Sequence, residues 1–245
     1  MSRSRRLLTA VASLLVMGAA AAPGQDVPAR SVSFAADLGF VKTGGNTNLT
    51  TVSVGEKVEF RTGSSLVFQQ SFGWVFGKTD GVESANQMQA GLRGIYDIRE
   101  HLTAYAGTNY YRDRFAGIAK RFDESVGFGY QLAKTERHEV SVESGISFFQ
   151  ETLTAGSTNR FTAGRAAGRY KFHFAEKAHF EQYLEYLSNF DHGDDYRMIS
   201  ESLLVAPINS LLALKAGYLV RYRGEPPSGF DKTDTTFRTS IQLTL

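Results

Sequence analysis

Beyond residue 30 the chain alternates apolar and polar residues with period two almost without interruption. Over 31–42, Val32, Phe34, Ala36, Leu38 and Phe40 fall on one face, with Ser33, Ala35, Asp37 and Gly39 on the other. That is the pattern of a strand with one apolar side, and the run exceeds the usual globular strand of about 5–6 residues. Gly44, Gly45 and Asn46 then suit a chain reversal, since Gly and Asn tolerate the positive φ of a tight turn. A second arm places Val52, Val54, Val58 and Phe60 together. The opening is a long hairpin.

The alternation continues to the C-terminus. Leu66, Phe68, Phe72, Trp74 and Phe76 share one face, as do Met88, Ala90, Leu92, Tyr96 and Ile98. A strand from Leu102 is ambiguous, because Tyr105, Asn109, Tyr110 and Tyr111 fall on both parities. Later arms set Phe122, Val126, Phe128 and Tyr130 outward, then Val140, Val142, Ile146 and Phe148. Residues 161–174 put Tyr170, Phe172 and Phe174 opposite Arg165, Arg169 and Lys171. Phe180, Leu184, Tyr186 and Phe190 oppose Glu181, Tyr183 and Glu185. A poorly alternating arm over 196–207, one from Leu212 to Tyr222 and one from Phe237 to Leu245 complete about twelve strands. Short connectors at 62–64, 99–101, 133–137, 175–177 and 208–210 alternate with mostly longer ones at 43–48, 77–83, 115–121, 152–159, 191–195 and 224–231. An even-stranded, antiparallel, up-and-down transmembrane β-barrel with both termini periplasmic has this rhythm.

Aromatic positions strengthen the membrane reading. Phe60, Tyr96, Tyr130, Phe172, Phe174 and Phe180 fall at the expected periplasmic ends of the outer face. Phe40, Trp74, Phe76, Phe148, Phe190, Tyr196 and Tyr222 fall at the opposite ends. Two aromatic girdles around an aliphatic band mark contact with a bilayer. A soluble periplasmic barrel with apolar faces turned inward is the alternative; the long strands and the sparse charges opposite the aromatics argue against it.

The N-terminus adds an address. Arg3, Arg5 and Arg6, an apolar stretch from Leu7 to Met17 and the small residues Gly18 to Ala22 form an export signal, with cleavage expected near Ala21. The expected organisation is therefore a signal over 1–21, a short periplasmic segment over 22–30 and a barrel over 31–245. Three of the 27 basic residues lie in the signal, which leaves 24 against 25 acidic ones. A near-neutral mature chain gives no reason to expect nucleic acid. The chain contains no cysteine, so neither a disulfide framework nor a lipid-modified cysteine is available. Its 24 glycines, 18 phenylalanines and 11 tyrosines against five prolines suit long strands.

Chemistry is scarcer. The inward face carries Asp37, Glu143, Arg165, Arg169, Glu181, Glu185, Glu201, Lys215 and Arg238, a ladder of opposite charges on neighbouring strands. Estimated heights pair Glu143 with Arg169, Arg165 with Glu185, Glu201 with Lys215 and, on closure, Arg238 with Asp37. Cross-strand pairs of this kind contribute roughly 0.2–1 kcal/mol each. The ladder either fills the lumen or lines a narrow pore, because twelve strands lie between filled eight-stranded and open sixteen-stranded barrels. Glu56 and Gln70 fall on the lipid face, where a bulge near Gly55 is expected to turn them away. No cofactor is expected. Asp191, Asp194 and Asp195 form an acidic loop around His192, a solvated turn or a modest oxygen-ligand site for a divalent cation. A hydrolase is the second alternative function, but no His-x-Ser triplet occurs and four of the five histidines, His101, His138, His173 and His179, lie at expected periplasmic ends or turns.

The stretch G-F-V-K-T-G-G-N-T-N at 39–48 resembles the signature hairpin of the YdiY-like family of salt-induced outer-membrane proteins. The closing R-Y-R-G-E-P-P-S-G-F-D-K-T-D-T-T-F-R-T-S-I-Q-L is similar to the family's last loop and strand. The resemblance implies an outer-membrane barrel of unknown activity, tied to salt stress, with no catalytic residues to transfer. Its expected partners are outer-membrane lipid and the machinery that inserts barrels through the C-terminal strand. Many such barrels end in Phe, whereas this chain ends in Leu245 behind outward Ile241 and Leu243.

Overall fold

The computed structural model describes residues 31–42, 49–63, 65–175 and 177–244. The expected signal over 1–21, the segment 22–30, the first loop at 43–48 and Leu245 lie outside the described residues. The strands are β1 Ser31–Lys42, β2 Leu49–Thr62, β3 Leu66–Thr79, β4 Val82–Arg99, β5 Leu102–Asp113, β6 Ile118–Lys134, β7 His138–Leu153, β8 Thr158–His173, β9 His179–Asn189, β10 Tyr196–Pro207, β11 Leu212–Arg223 and β12 Thr233–Thr244. Each pairs antiparallel with its sequence neighbours, and β1 pairs with β12 to close the barrel. That seam runs from Ala35↔Thr244 to Leu38↔Ile241. Both described chain ends therefore sit at one rim, the terminal rim, and the opposite rim carries the loops after β1, β3, β5, β7, β9 and β11.

Several connections are tighter than the alternation predicts. The expected loop over 77–83 is a two-residue hairpin, because Asp80 and Gly81 both take positive φ, 50° and 81°. This geometry matches the twist of paired strands and lets the ladder run to Thr79↔Val82. Likewise β6 begins at Ile118, β7 continues to Leu153 and β8 starts at Thr158, which shortens the expected loops at 115–121 and 152–159. Asp113 caps a single 3-10 turn between β5 and β6 by accepting from the backbone N–H groups of Phe115 and Ala116.

Faces follow the alternation. Leu38, Phe40, Leu92, Phe128, Leu184, Phe237 and Ile241 are exposed on the outer wall, as the wall of a barrel solvated by lipid requires. At the terminal rim Phe172 lies opposite Phe180 and Phe60 opposite Phe68, with Tyr96, Tyr130 and Phe174 exposed. At the loop rim Trp74 stacks on Phe76 and Tyr196 on Tyr222, with Phe40, Phe148 and Phe190 exposed. The ambiguous β5 resolves cleanly: Tyr105 and Tyr111 are buried inside, while Tyr110 packs outside against Phe122 at 5.1 Å between ring centres.

The expected bulge at Gly55 is absent, since β2 pairs continuously with β1 and β3 through Gly55 and Glu56. Glu56 and Gln70 therefore do face outward. Gln70 Nε2 donates to Glu56 Oε1 at 2.5 Å, so each polar group satisfies the other rather than facing hydrocarbon alone.

Inside, β6 and β7 approach closely at Gly127↔Gly145. A Cβ on Gly127 would lie 2.3 Å from the Ser144 carbonyl and 2.7 Å from the Tyr105 hydroxyl; one on Gly145 would lie 2.3 Å from the Val126 carbonyl and 2.6 Å from that hydroxyl. The paired glycines thus form the groove that seats Tyr105. Gly145→Ala should lower unfolding stability in detergent by about 1–3 kcal/mol, read from the denaturant midpoint of heat-modifiable gel migration. Gly168→Ala, whose Cβ would come no nearer than 4.0 Å to a neighbour, should leave the midpoint unchanged. Equal effects would show that the close approach is not what selects glycine.

Candidate functional site

Charge fills the lumen in three tiers. At mid-height Arg165 of β8, buried, uses its whole guanidinium. Its Nε donates to Glu185 at 2.6 Å, Nη1 to the Tyr105 hydroxyl at 2.7 Å and to Glu143 at 2.8 Å, and Nη2 to the Tyr183 hydroxyl at 2.9 Å. Arg93 of β4 donates to the other oxygen of Glu143 at 2.7 Å and lies over the Tyr105 ring at 3.9 Å. Strands β4, β5, β7, β8 and β9 are thereby tied together across the concave inner wall. Such charge-assisted bonds are roughly twice as strong as neutral ones.

The tier nearest the loop rim is built around Glu151 of β7, whose side chain is 0% exposed. Arg223 lies 2.8 Å from it, Arg197 3.2 Å and Arg121 3.7 Å. Asp195 adds contacts to Arg197 at 3.6 Å and Arg223 at 3.4 Å. Arg197 also lies over the Phe149 and Phe161 rings, which stack on each other at 4.7 Å. Near the terminal rim, Lys215 meets Asp37 at 2.8 Å, Arg238 meets Glu201 at 3.2 Å, and Glu181 pairs with Arg169 and with Lys171.

The ladder residues all face the lumen, but several partners differ from those expected. Arg165 does meet Glu185. Glu143 meets Arg165 and Arg93 rather than Arg169, because Glu143 stands opposite Ala167, diagonal to both arginines, and Arg169 is drawn to Glu181. The expected Glu201–Lys215 and Arg238–Asp37 pairs exchange partners. Gly217, opposite Arg238 on β11, leaves room for Arg238 to cross to Glu201, while Lys215 passes the small Ser240 to reach Asp37. Arg93, Tyr105, Arg121, Glu151, Arg197 and Arg223 join these clusters without having been singled out by sequence, although their odd numbering puts them on the inward face.

The acidic loop does not gather as a cation site. Asp195 is buried and turned to arginines, and Asn189 Nδ2 donates to it at 3.2 Å. Asp191 and Asp194 are exposed. Among the described residues no group of three or more His, Asp or Glu is placed to hold a metal. The histidine side chains in recorded contacts pair with other partners than a nucleophile: His138 with the Tyr170 hydroxyl at 3.0 Å, His173 with Glu139 at 2.9 Å.

The wall opposite the mid-height network is small-sided, with Ser53, Gly55, Ser71, Gly73, Gly217 and Ser240. Cavities follow it. One of about 270 Å³ near the terminal rim shares Ser71 and Gln89 with another of about 270 Å³ at mid-height. The second shares Tyr111, Arg121 and Arg221 with a smaller one of about 60 Å³ at the loop rim. Their shared walls trace an off-axis route along the lumen.

Neutralising the centre of the loop-rim tier should expose its charge balance. Glu151→Gln keeps the shape, leaves Arg197 and Arg223 with Asp195 alone and leaves Arg121 without a carboxylate partner. The expected cost is roughly 3–5 kcal/mol, read as a lower denaturant midpoint, whereas Glu56→Gln on the outer wall should not lower it.

A family model described as "Protein of unknown function, DUF481" matches residues 36–244. An uncharacterized protein of Escherichia coli K12, YdiY, is 26% identical over 161 residues, which cover 65% of this chain and 62% of that protein's length. Among solved structures, the NanC porin superposes with a TM-score of 0.54 at 12% identity, covering 86% of this chain and all of the porin. The COG4313 outer membrane channel from Pseudomonas putida F1 gives 0.50 at 10% identity, covering 90% and 96%. At such identities the likeness is one of fold, that of an outer-membrane barrel. The chain belongs to DUF481, a family of unknown function, and its fold is a closed, twelve-stranded antiparallel barrel of the outer-membrane type.

Proposed function

We propose that this protein is a narrow outer-membrane channel for small solutes, exported by its N-terminal signal and inserted with both termini in the periplasm. The observation that carries the reading is the run of cavities joined by shared walls, from Arg223 at the loop rim to Gln242 near the terminal rim. Arg93, Arg165, Tyr183 and Glu185 of the mid-height network line the middle of that route. Its lining mixes both signs of charge, which favours passage of small polar or charged solutes over apolar ones. The family resemblance supports a role in the envelope's response to salt, and the C-terminal strand is the element offered to the insertion machinery. The exposed apolar outer wall supports the membrane barrel over a soluble binding protein.

The join at Ser71 and Gln89 provides the test. Refolded protein in a planar bilayer should give small, stepwise conductance in potassium chloride. Gln89→Ala should raise the step and Ser71→Tyr should lower it. Silence of the wild type and of Gln89→Ala across a range of salt concentrations would sink the channel reading.

A further inference from the structure

The loop over 224–232, between β11 and β12, does not stand away from the mouth. Strands β11 and β5 lie six places apart around twelve, on opposite walls. Yet Phe230 reaches the turn after β5: a Cβ on Gly117 would fall 2.7 Å from its ring. Gly117 has a φ of 74°, so glycine serves there both for the backbone and for the ring laid against it. At the base of the loop, Arg223 N–H donates to the Lys232 carbonyl at 2.8 Å and Gly224 N–H to the Tyr196 carbonyl at 2.8 Å. Phe230 N–H closes a turn on the Pro227 carbonyl at 3.1 Å. The loop is a strap across the mouth, stiffened by Pro226 and Pro227.

Beneath the strap lies the small loop-rim cavity, which shares lining residues with the larger one below. Pro226 and Pro227 line it above, Ile118, Leu187 and Ile199 give it apolar sides, and Arg121, Arg197, Arg221 and Arg223 line it too. Glu151 and Asp195 hold three of these arginines from behind. The buried Nε atoms of Arg121 and Arg197 nevertheless make no hydrogen bond among the described residues, and Arg197 is 5% exposed. Buried donors of this kind are ordinarily satisfied. Arg221 is in a different position. No carboxylate among the described residues lies within ion-pair distance of it, including Asp234, its ladder partner. Its partners are neutral: the Gln87 side-chain oxygen accepts from Nη1 at 3.0 Å and Nη2 at 3.2 Å, Gln89 Oε1 lies 3.4 Å from Nη2, and the Tyr111 ring is 5.1 Å away.

We propose that this chamber binds a small organic anion. Its carboxylate would meet Arg221, the arginine of the chamber that has no carboxylate partner among the described residues, and its apolar body would lie against Ile118, Leu187 and Ile199 under the strap. A carboxylate supplies Arg221 with the counter-charge it lacks, in the planar, two-oxygen geometry a guanidinium matches best. The apolar sides favour an organic anion over an inorganic one. The proposal extends the channel reading, but binding is measured without any conductance.

The test is isothermal titration of the full refolded barrel in detergent with sodium benzoate. Sodium chloride and benzamidine hydrochloride, at equal ionic strength, serve as comparators. Saturable benzoate binding is expected, with neither comparator binding saturably. Arg221→Gln should weaken it by roughly tenfold or more, the loss of a charge-assisted bond. Lys215→Gln, near the other rim, should leave it unchanged. Phe230→Ala, which lies outside the barrel wall and does not put insertion at stake, should weaken it by roughly threefold as the roof opens to water. Absence of saturable benzoate binding to the wild type, equal binding of benzamidine, or unchanged affinity in both Arg221→Gln and Phe230→Ala would overturn the proposal. If benzoate binds as expected while the bilayer stays silent, the site stands and the channel does not.

Discussion

Closure of the backbone hydrogen-bond ladder is the constraint on which everything else rests. A sheet edge in hydrocarbon leaves a row of N–H and C=O groups with no partner, at several kcal/mol each, so a membrane sheet must meet itself. Here the meeting is made by the short β1–β12 seam. Lys215 and Asp37 reinforce it from within, joining β11 to β1 across the strand between them. Closing twelve strands encloses a lumen too wide for apolar side chains to pack shut. The interior is therefore polar, and its charges must satisfy one another.

The way they do so divides the barrel in two. Strands β4 to β9 contribute the long side chains, and Arg165, Glu143 and Tyr105 tie them into one network. The glycines at 127 and 145 let Tyr105 lie close to the wall, which places its ring under Arg93 and its hydroxyl on Arg165. Nearer the loops, Glu151 performs the same office for arginines arriving from β6, β10 and β11. The remaining wall has more Gly and Ser, with the Lys215–Asp37 and Arg238–Glu201 pairs among them, and the cavity near the terminal rim lies against it.

Strand number, face and closure were legible in the sequence because each rests on strict period-two alternation, which a one-residue slip would invert. The inward face of β5 was not, since Tyr105, Tyr110 and Tyr111 offer aromatics to both sides and only packing decides. Loop lengths were overestimated wherever a compact turn, such as Asp80-Gly81, lets strands extend into polar sequence. Partner choice within the ladder was the least readable layer. Each inward residue has two diagonal neighbours on each adjacent strand, and arginine is long enough to cross a glycine to a third. Glu143 between Arg165 and Arg169, and Arg238 reaching over Gly217, show how register alone leaves the choice open. The strap was invisible for a related reason: nothing in G-E-P-P-S-G-F-D-K says that its Phe will rest on a glycine from the far wall.

Separating the charged wall from the small-sided one has an evolutionary corollary. The Arg165 and Glu151 assemblies draw most of their side chains from one set of strands, and most of the small inward residues lie on another. Substitutions at positions such as Ser53, Ser71 or Ser240 can reshape the bore while leaving the Arg165 and Glu151 assemblies intact. A lineage of such barrels is free to diversify in calibre and lining at little cost in integrity, because the two properties are inherited through different residues.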